Sequence, residues 1–119
     1  MINQFAITVQ RDSQDRFATI HTDGYINNLA GEKIGEAANA LLDEGVTKLI
    51  INMEKSTVIN SIGISILIEV IERVQELNGT LAFCNLTKTI AKTFTIMGLA
   101  QYAEIYDTEA DAISGMLAN

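Results

Sequence analysis

The segment TKLIINMEKSTVINSIGISI, residues 47–66, decides how we interpret the fold. Its first part, residues 47–53, is short, largely apolar and rich in β-branched residues, which is typical of a strand covered on at least one face. Apolar residues then recur at helical spacing, at Ile64, Leu67, Ile71 and Val74. The segment therefore predicts a central strand, a loop over residues 54–61 and a well-buried helix over residues 62–77.

The residues before this segment predict a hairpin and a first helix. Apolar and polar residues alternate over residues 5–10 and again over residues 17–21, as in two paired strands. The turn-rich segment 22–31 leads into a helix that ends near Gly45 in a left-handed turn. The face of that helix that we expect to be buried carries Ile34, Ala37, Ala38, Leu41 and Leu42.

The residues after the segment continue the alternation of strands and helices. A strand is predicted at residues 80–85, and AEIYD at residues 103–107 predicts a short one. Between them, Thr87 opens a helix that Gly98 ends, with Ile90, Phe94 and Met97 facing inward. A terminal helix starts with a capping pattern at Thr108. Because such alternation requires parallel pairing with crossovers, we expect one α/β domain with a mixed sheet of about four to five strands and about four helices.

Size and charge narrow the classes of function. At 119 residues, the chain is most simply a single domain over residues 1–119. Eight basic and fifteen acidic side chains give a net charge of −7, which disfavours nucleic acid and anionic membranes as partners. No apolar run approaches the ~20 residues of a membrane span, and the N-terminus lacks the pattern of a secretion signal. We therefore expect a cytoplasmic protein whose partners are other proteins.

The residues that usually carry catalysis are sparse. His21 is the only histidine and Cys84 the only cysteine, and the surroundings of each predict an ordinary strand residue. The chain contains neither a GxGxxG nor a GxxxxGK[ST] loop for phosphates. The sequence thus predicts no enzyme, no cofactor and no metal site.

Ser61 and Gly63 are the unusual residues of the deciding segment, and two interpretations of Ser61 stay open. As the N-cap of the following helix, its hydroxyl would contribute about 0.5–2 kcal/mol relative to alanine. Gly63 is harder to explain by stability, because glycine in a first helical turn costs up to ~1 kcal/mol relative to alanine. Its use would be access for a partner or for a phosphate on Ser61, which the positive helix terminus would accommodate.

Four motifs, in this order and spacing, resemble the STAS domain, the family that includes bacterial anti-sigma factor antagonists. The resemblance runs from about Phe5 to Leu117. It rests on GYIN at 24–27, on TKLIINM followed by VINSIGIS, on ELNGTLAFCNLT at 76–87 and on MGLAQYAEIYDTEADAI at 97–113.

The resemblance implies that Ser61 is a phosphoacceptor. In the family, an anti-sigma factor that is also a serine kinase binds the unmodified domain and releases its sigma factor; phosphorylation blocks that binding and a phosphatase restores it. The acids usual before the serine and at the end of the GYIN turn are here Asn60 and Asn27. The implied phospho-loop and partner-binding residues are Asn27, Thr57, Asn60, Ile62, Gly63 and Ile64.

Two other classes of function remain open at this point. STAS-like domains also serve as constitutive adaptor or scaffold subunits of signalling assemblies and lipid-transport machinery, and the loss of acids at Asn27 and Asn60 favours such a role. A small-molecule binder is the third class, although no catalytic constellation supports it. A weak homodimer is a further alternative, with Ile105 or Leu117 as contacts.

Overall fold

The structure, a computed structural model, describes residues 4–118. Strands and helices alternate along the chain as the sequence predicts. Their bounds are β1 (Ala6–Arg11), β2 (Ala18–Asp23), α1 (Asn28–Asp43), β3 (Lys48–Lys55), α2 (Ser61–Glu76), β4 (Thr80–Cys84), α3 (Lys88–Ile96), a 3-10 turn (Leu99–Gln101), β5 (Glu104–Tyr106) and α4 (Glu109–Leu117).

The strands form one five-stranded mixed sheet in the order β1-β2-β3-β4-β5. β1 and β2 pair antiparallel as the predicted hairpin, and each later strand pairs parallel with its neighbour. The predicted α/β class is confirmed. Since β2 to β5 all run in one direction, the connections that leave their carboxyl ends gather at one edge of the sheet, where α/β proteins usually carry function.

The two faces of the sheet are covered unequally. The larger core lies between the sheet and α1, α2 and α3, where Phe83 and Phe94 meet edge to face at 5.0 Å between ring centroids. On the opposite face, α4 packs Ala112 and Met116 over the middle strands. The part of that face formed by β1 and β2 is left open beside α4 as a shallow cavity of about 430 Å³.

Several predicted boundaries are wrong by a few residues. β3 continues to Lys55 and α2 begins at Ser61, so the loop between them spans residues 56–60 rather than 54–61. β4 ends at Cys84 because Asn85 takes a left-handed conformation with φ of 57°. Met97, which we predicted to face inward, is 49% exposed, since α3 ends at Ile96 and Gly98, with φ of 81°, turns the chain away.

Within residues 4–118, no helix is both long enough and apolar enough to cross a membrane.

Candidate functional site

The loop of residues 56–60 leaves the carboxyl end of β3 from a fixed starting point. Ser56 is fully buried, and its hydroxyl lies 2.8 Å from that of Thr22. Its backbone N–H also donates to the Met53 carbonyl at 3.0 Å. Because the hydroxyl and the N–H of Ser56 are both satisfied inside the protein, the loop starts from a defined position.

This loop pairs with the turn that follows β2. The Ile26 N–H donates to the Val58 carbonyl and the Asn60 N–H donates to the Ile26 carbonyl, both at 3.0 Å. Ile26 and Ile59 form an isolated parallel bridge. The entrances to α1 and α2 are therefore held side by side by backbone hydrogen bonds.

Each of the two helices is capped by an asparagine. Oδ1 of Asn27 accepts from the Ala30 N–H at 3.0 Å, and Oδ1 of Asn60 accepts from the Gly63 N–H at 2.7 Å. The prediction that Ser61 is the N-cap of α2 is thus wrong. Asparagine and serine are comparable N-cap residues. The N-cap is the last residue with an extended backbone before the helix, and here that residue is Asn60, with φ −94° and ψ 174°.

Ser61 is instead the first helical residue of α2, directly after the cap. Ser61 is exposed, and its hydroxyl forms no hydrogen bond with any of residues 4–118. Asn60 satisfies the N–H groups of Gly63 and Ile64, whereas those of Ser61 and Ile62 lie at the open helix end. The Ser61 hydroxyl is therefore accessible and stands beside the positive end of a helix dipole.

The expected role of Gly63 in giving access to a partner is also wrong. Gly63 is buried, and a Cβ atom on it would lie 2.7 Å from the Ile26 carbonyl oxygen. Its lack of a side chain lets α2 approach the turn before α1. Ile64, the next implied contact residue, is 6% exposed and belongs to the core, so it supports the loop from inside.

Exposed apolar residues flank the two caps at regular positions in the sequence. Tyr25 and Leu29 flank Asn27 at two residues on either side, and Val58 and Ile62 flank Asn60 in the same manner. Each of the four is 50–60% exposed. We call Ser61 together with Tyr25, Leu29, Val58 and Ile62 the Ser61 surface.

The Ser61 surface has the composition of a protein contact. Clustered exposed apolar side chains around a polar group usually mark such contacts. Of the contact residues that the resemblance implies, Thr57 and Ile62 are exposed in the structure. Asn27 and Asn60 are half-buried and serve as helix caps. Sequence reasoning missed Tyr25, Leu29 and Val58, whose only signal was their position beside the GYIN and NSIG motifs.

Comparison with known proteins shows the family of this chain. The sequence model of the STAS domain family matches residues 8–112. The chain belongs to the STAS domain family. A search of curated proteins gave no match.

Solved structures show the same fold. The unphosphorylated anti-sigma factor antagonist SpoIIAA is 22% identical, with a TM-score of 0.78 over 96% of this STAS domain and 100% of that chain. An anti-sigma factor antagonist from Mycobacterium paratuberculosis is 17% identical, with a TM-score of 0.83 over 96% of this chain and 95% of that chain. A sulfate transporter family protein from Wolinella succinogenes is 15% identical, with a TM-score of 0.71 over 86% of this chain and 85% of that chain.

His21 and Cys84, the residue types that most often carry catalysis, lie in surroundings that give them structural roles. His21 Nε2 lies 2.6 Å from Glu109 Oε1, which also accepts from the Asn52 side chain at 2.9 Å, so these residues tie the start of α4 to the sheet. Burial, helped by the carboxylates of Glu109 and Glu54, raises the pKa of the Cys84 thiol to about 12, which leaves no thiolate nucleophile near neutral pH. Among the described residues, no group of three His, Cys, Asp or Glu side chains could hold a metal ion.

The assignment of the cap gives a direct stability prediction. We expect Asn60→Ala to lower the free energy of unfolding by about 0.5–2 kcal/mol, because it leaves the Gly63 N–H without its acceptor. Ser61→Ala should change it by less than about 0.5 kcal/mol, since the exposed hydroxyl has no partner to lose. Urea unfolding of both variants measures the difference, and a larger loss for Ser61→Ala would contradict the assignment.

Proposed function

We propose that this STAS domain is an anti-sigma factor antagonist that acts as a phospho-switch without catalysis of its own. Unphosphorylated, it binds a kinase-type anti-sigma factor in the cytoplasm through the Ser61 surface and so frees a sigma factor for transcription. The kinase then phosphorylates Ser61 and the complex dissociates, and a serine phosphatase restores binding. The observation that carries the proposal is the accessible, unbonded hydroxyl of Ser61 among four exposed apolar side chains.

Asn60 caps α2 and leaves the Ser61 hydroxyl free, an arrangement that suits a reversible modification of Ser61. Because Asn60 holds the cap, a phosphate on Ser61 removes no hydrogen bond that the helix needs. The unpaired N–H groups at the start of α2 and the helix dipole favour a phosphate there. The modified protein is therefore expected to stay folded, so that the switch acts at the surface.

The charge of the phosphate supplies the switch itself. A phosphoserine adds roughly −1.5 to −2 charges at pH 7. Here that charge would stand among Tyr25, Leu29, Val58 and Ile62 on a chain that already carries −7. Binding would then require the desolvation of a charge within an apolar contact, which is unfavourable unless the partner supplies a counter-charge.

The comparisons support the proposal at the level of the fold. SpoIIAA has also been solved in its phosphorylated form, which is 23% identical to this chain with a TM-score of 0.73 over 92% of it. A domain of this architecture thus carries a phosphate without loss of the fold. Asn27 and Asn60 keep the helix caps by hydrogen bonding, although they lack the negative charge of an acid.

A constitutive scaffold is the second candidate. The fold is also found in a sulfate transporter family protein. A scaffold would use the same apolar surface but would bind its partner equally well with and without a phosphate on Ser61. Dependence of binding on phosphorylation therefore separates the two functions.

The Ser61 surface can be tested with two matched substitutions. The kinase-type anti-sigma factor for this test is one that a neighbouring gene encodes or that co-purifies with the protein. We expect Ile62→Asp to weaken its binding by roughly 30-fold or more, as substitutions of central apolar contacts do. Ile96→Asp places the same charge at a side chain that is 74% exposed at the end of α3, and it should leave the affinity unchanged. Calorimetric titration measures both, and equal effects would contradict binding through the Ser61 surface.

A further inference from the structure

The outer edge of β1 is an unpaired strand edge. β1 hydrogen-bonds to β2 on one side and is the last strand of the sheet on the other. We propose that this edge pairs antiparallel with β1 of a second copy of the chain, so that two sheets join into one continuous sheet across a twofold axis. The pairing is distinct from the Ser61 surface, since none of the five residues of that surface belongs to β1.

Nothing in β1 protects its edge. Natural edge strands are usually blocked by a lysine, a proline, a bulge or a covering element. Residues 5–10 contain no charge and no proline, and the β1–β2 register is unbroken from Ala6 to Arg11. The one charged side chain, that of Arg11, is held by Asp15 at 2.9 Å and Glu44 at 2.7 Å. The other outer strand, β5, is only three residues long and offers little backbone for pairing.

The side chains of β1 suit pairing with themselves. Phe5 and Ile7 pack toward the larger core, so the odd-numbered residues lie on the face of α1 and the even-numbered ones on the face of α4. Antiparallel pairing centred on Thr8 places Thr8 opposite the partner's Thr8 and Ile7 opposite the partner's Val9. Apolar residues then meet on one face and hydroxyl groups on the other, and both kinds of cross-strand pair are favourable.

Charge and exposure favour an identical strand as the occupant. Two copies of β1 do not repel each other, because no charge lies between Phe5 and Gln10. Val9 is 40% exposed, although it lies on the same face as the core residues, and the partner's Ile7 would cover it. Ala6, Thr8 and Gln10 line the open cavity beside α4, so α4 does not cover the even-numbered side chains of β1.

The dimer should be weak and should strengthen with salt. Two short strands bury less than the ~1,200 Å² of a standard stable interface. Each copy carries −7, and added salt screens the repulsion between the two copies. A monomer–dimer equilibrium that depends on protein concentration is therefore expected.

Sedimentation equilibrium on the full chain tests the surface and the register together. The wild type should show a monomer–dimer equilibrium. Thr8→Lys and Thr8→Glu, each alone, should weaken the dimer by roughly tenfold or more, because twofold symmetry sets like charges directly opposite each other. An equimolar mixture of these two variants should associate again, because opposite charges then meet across the axis.

Ile96→Lys is the matched control, since it puts a lysine on an exposed side chain far along the chain in α3 and should leave the dimer unchanged. Circular dichroism confirms that each variant is folded before its association is measured. A wild type that stays monomeric at every concentration, a dimer that Thr8→Lys leaves intact, or a mixture that fails to associate would each overturn the proposal.

Discussion

Gly63→Ala is expected to lower the free energy of unfolding by about 1–3 kcal/mol, as overpacked core positions do. The added Cβ would lie 2.7 Å from the Ile26 carbonyl oxygen and 3.2 Å from Cγ1 of Ile59. Since that carbonyl accepts from the Asn60 N–H, the backbone can yield only by breaking the pairing between the two helix entrances. Urea or thermal unfolding measures the loss, which should exceed the change caused by Ser61→Ala.

Gly35→Ala is the matched control for this prediction. Gly35 is also a buried helical glycine that faces α2, but a Cβ on it would meet only Cγ2 of Ile66, at 3.4 Å. The substitution should therefore stabilise α1 by up to ~1 kcal/mol through its helix propensity. If both alanines stabilise the protein, Gly63 is not required for the close approach of α2 to the turn.

Phosphorylation of Ser61 is expected to weaken binding of the anti-sigma factor roughly a hundredfold. An unpaired or like charge placed within an interface costs several kcal/mol, and each 1.4 kcal/mol is about tenfold in affinity. The four apolar side chains around Ser61 offer no cation to offset the phosphate. Titration of the anti-sigma factor with the two purified forms gives the ratio of their dissociation constants.

The phosphorylated protein itself provides the control for this loss of affinity. Its thermal midpoint should stay close to that of the unmodified protein, because Asn60 continues to cap α2. Treatment with a serine phosphatase should restore the original affinity. If phosphorylation lowered the thermal midpoint strongly, the loss of binding would be due to unfolding of the loop and not to the charge at the surface.

Patterns of local origin were predictable from the sequence. The stripe formed by Ile64, Leu67, Ile71 and Val74 is buried as its spacing indicates. Thr87 and Thr108 cap α3 and α4 as predicted, with the Ile90 and Asp111 N–H groups donating to their hydroxyls at 3.1 Å. Periodicity and caps depend on residues a few positions apart, so a single sequence contains them.

Features that depend on distant residues were not predictable in this way. Gly63 is a glycine because of the carbonyl of Ile26, which reaches it only once the turn and the loop have paired. His21 meets Glu109 across 88 positions of sequence, and neither residue carries a local signal of that contact. The sequence predicted Ser61 as the cap where the structure has Asn60, because two adjacent residues of similar cap preference differ only in where the helix actually begins.

The intact mass of the protein after incubation with ATP and its kinase-type anti-sigma factor shows whether Ser61 accepts a phosphate. The wild type should gain the mass of one phosphate, and Ser61→Ala, which keeps the Asn60 cap and the fold, should gain none. Ser65 and Thr57 are exposed hydroxyls close to Ser61 in sequence, so an equal gain in Ser61→Ala would place the phosphate elsewhere. No gain in the wild type, with a kinase shown to be active on another substrate, would contradict the phospho-switch and leave the Ser61 surface as the contact of a constitutive scaffold.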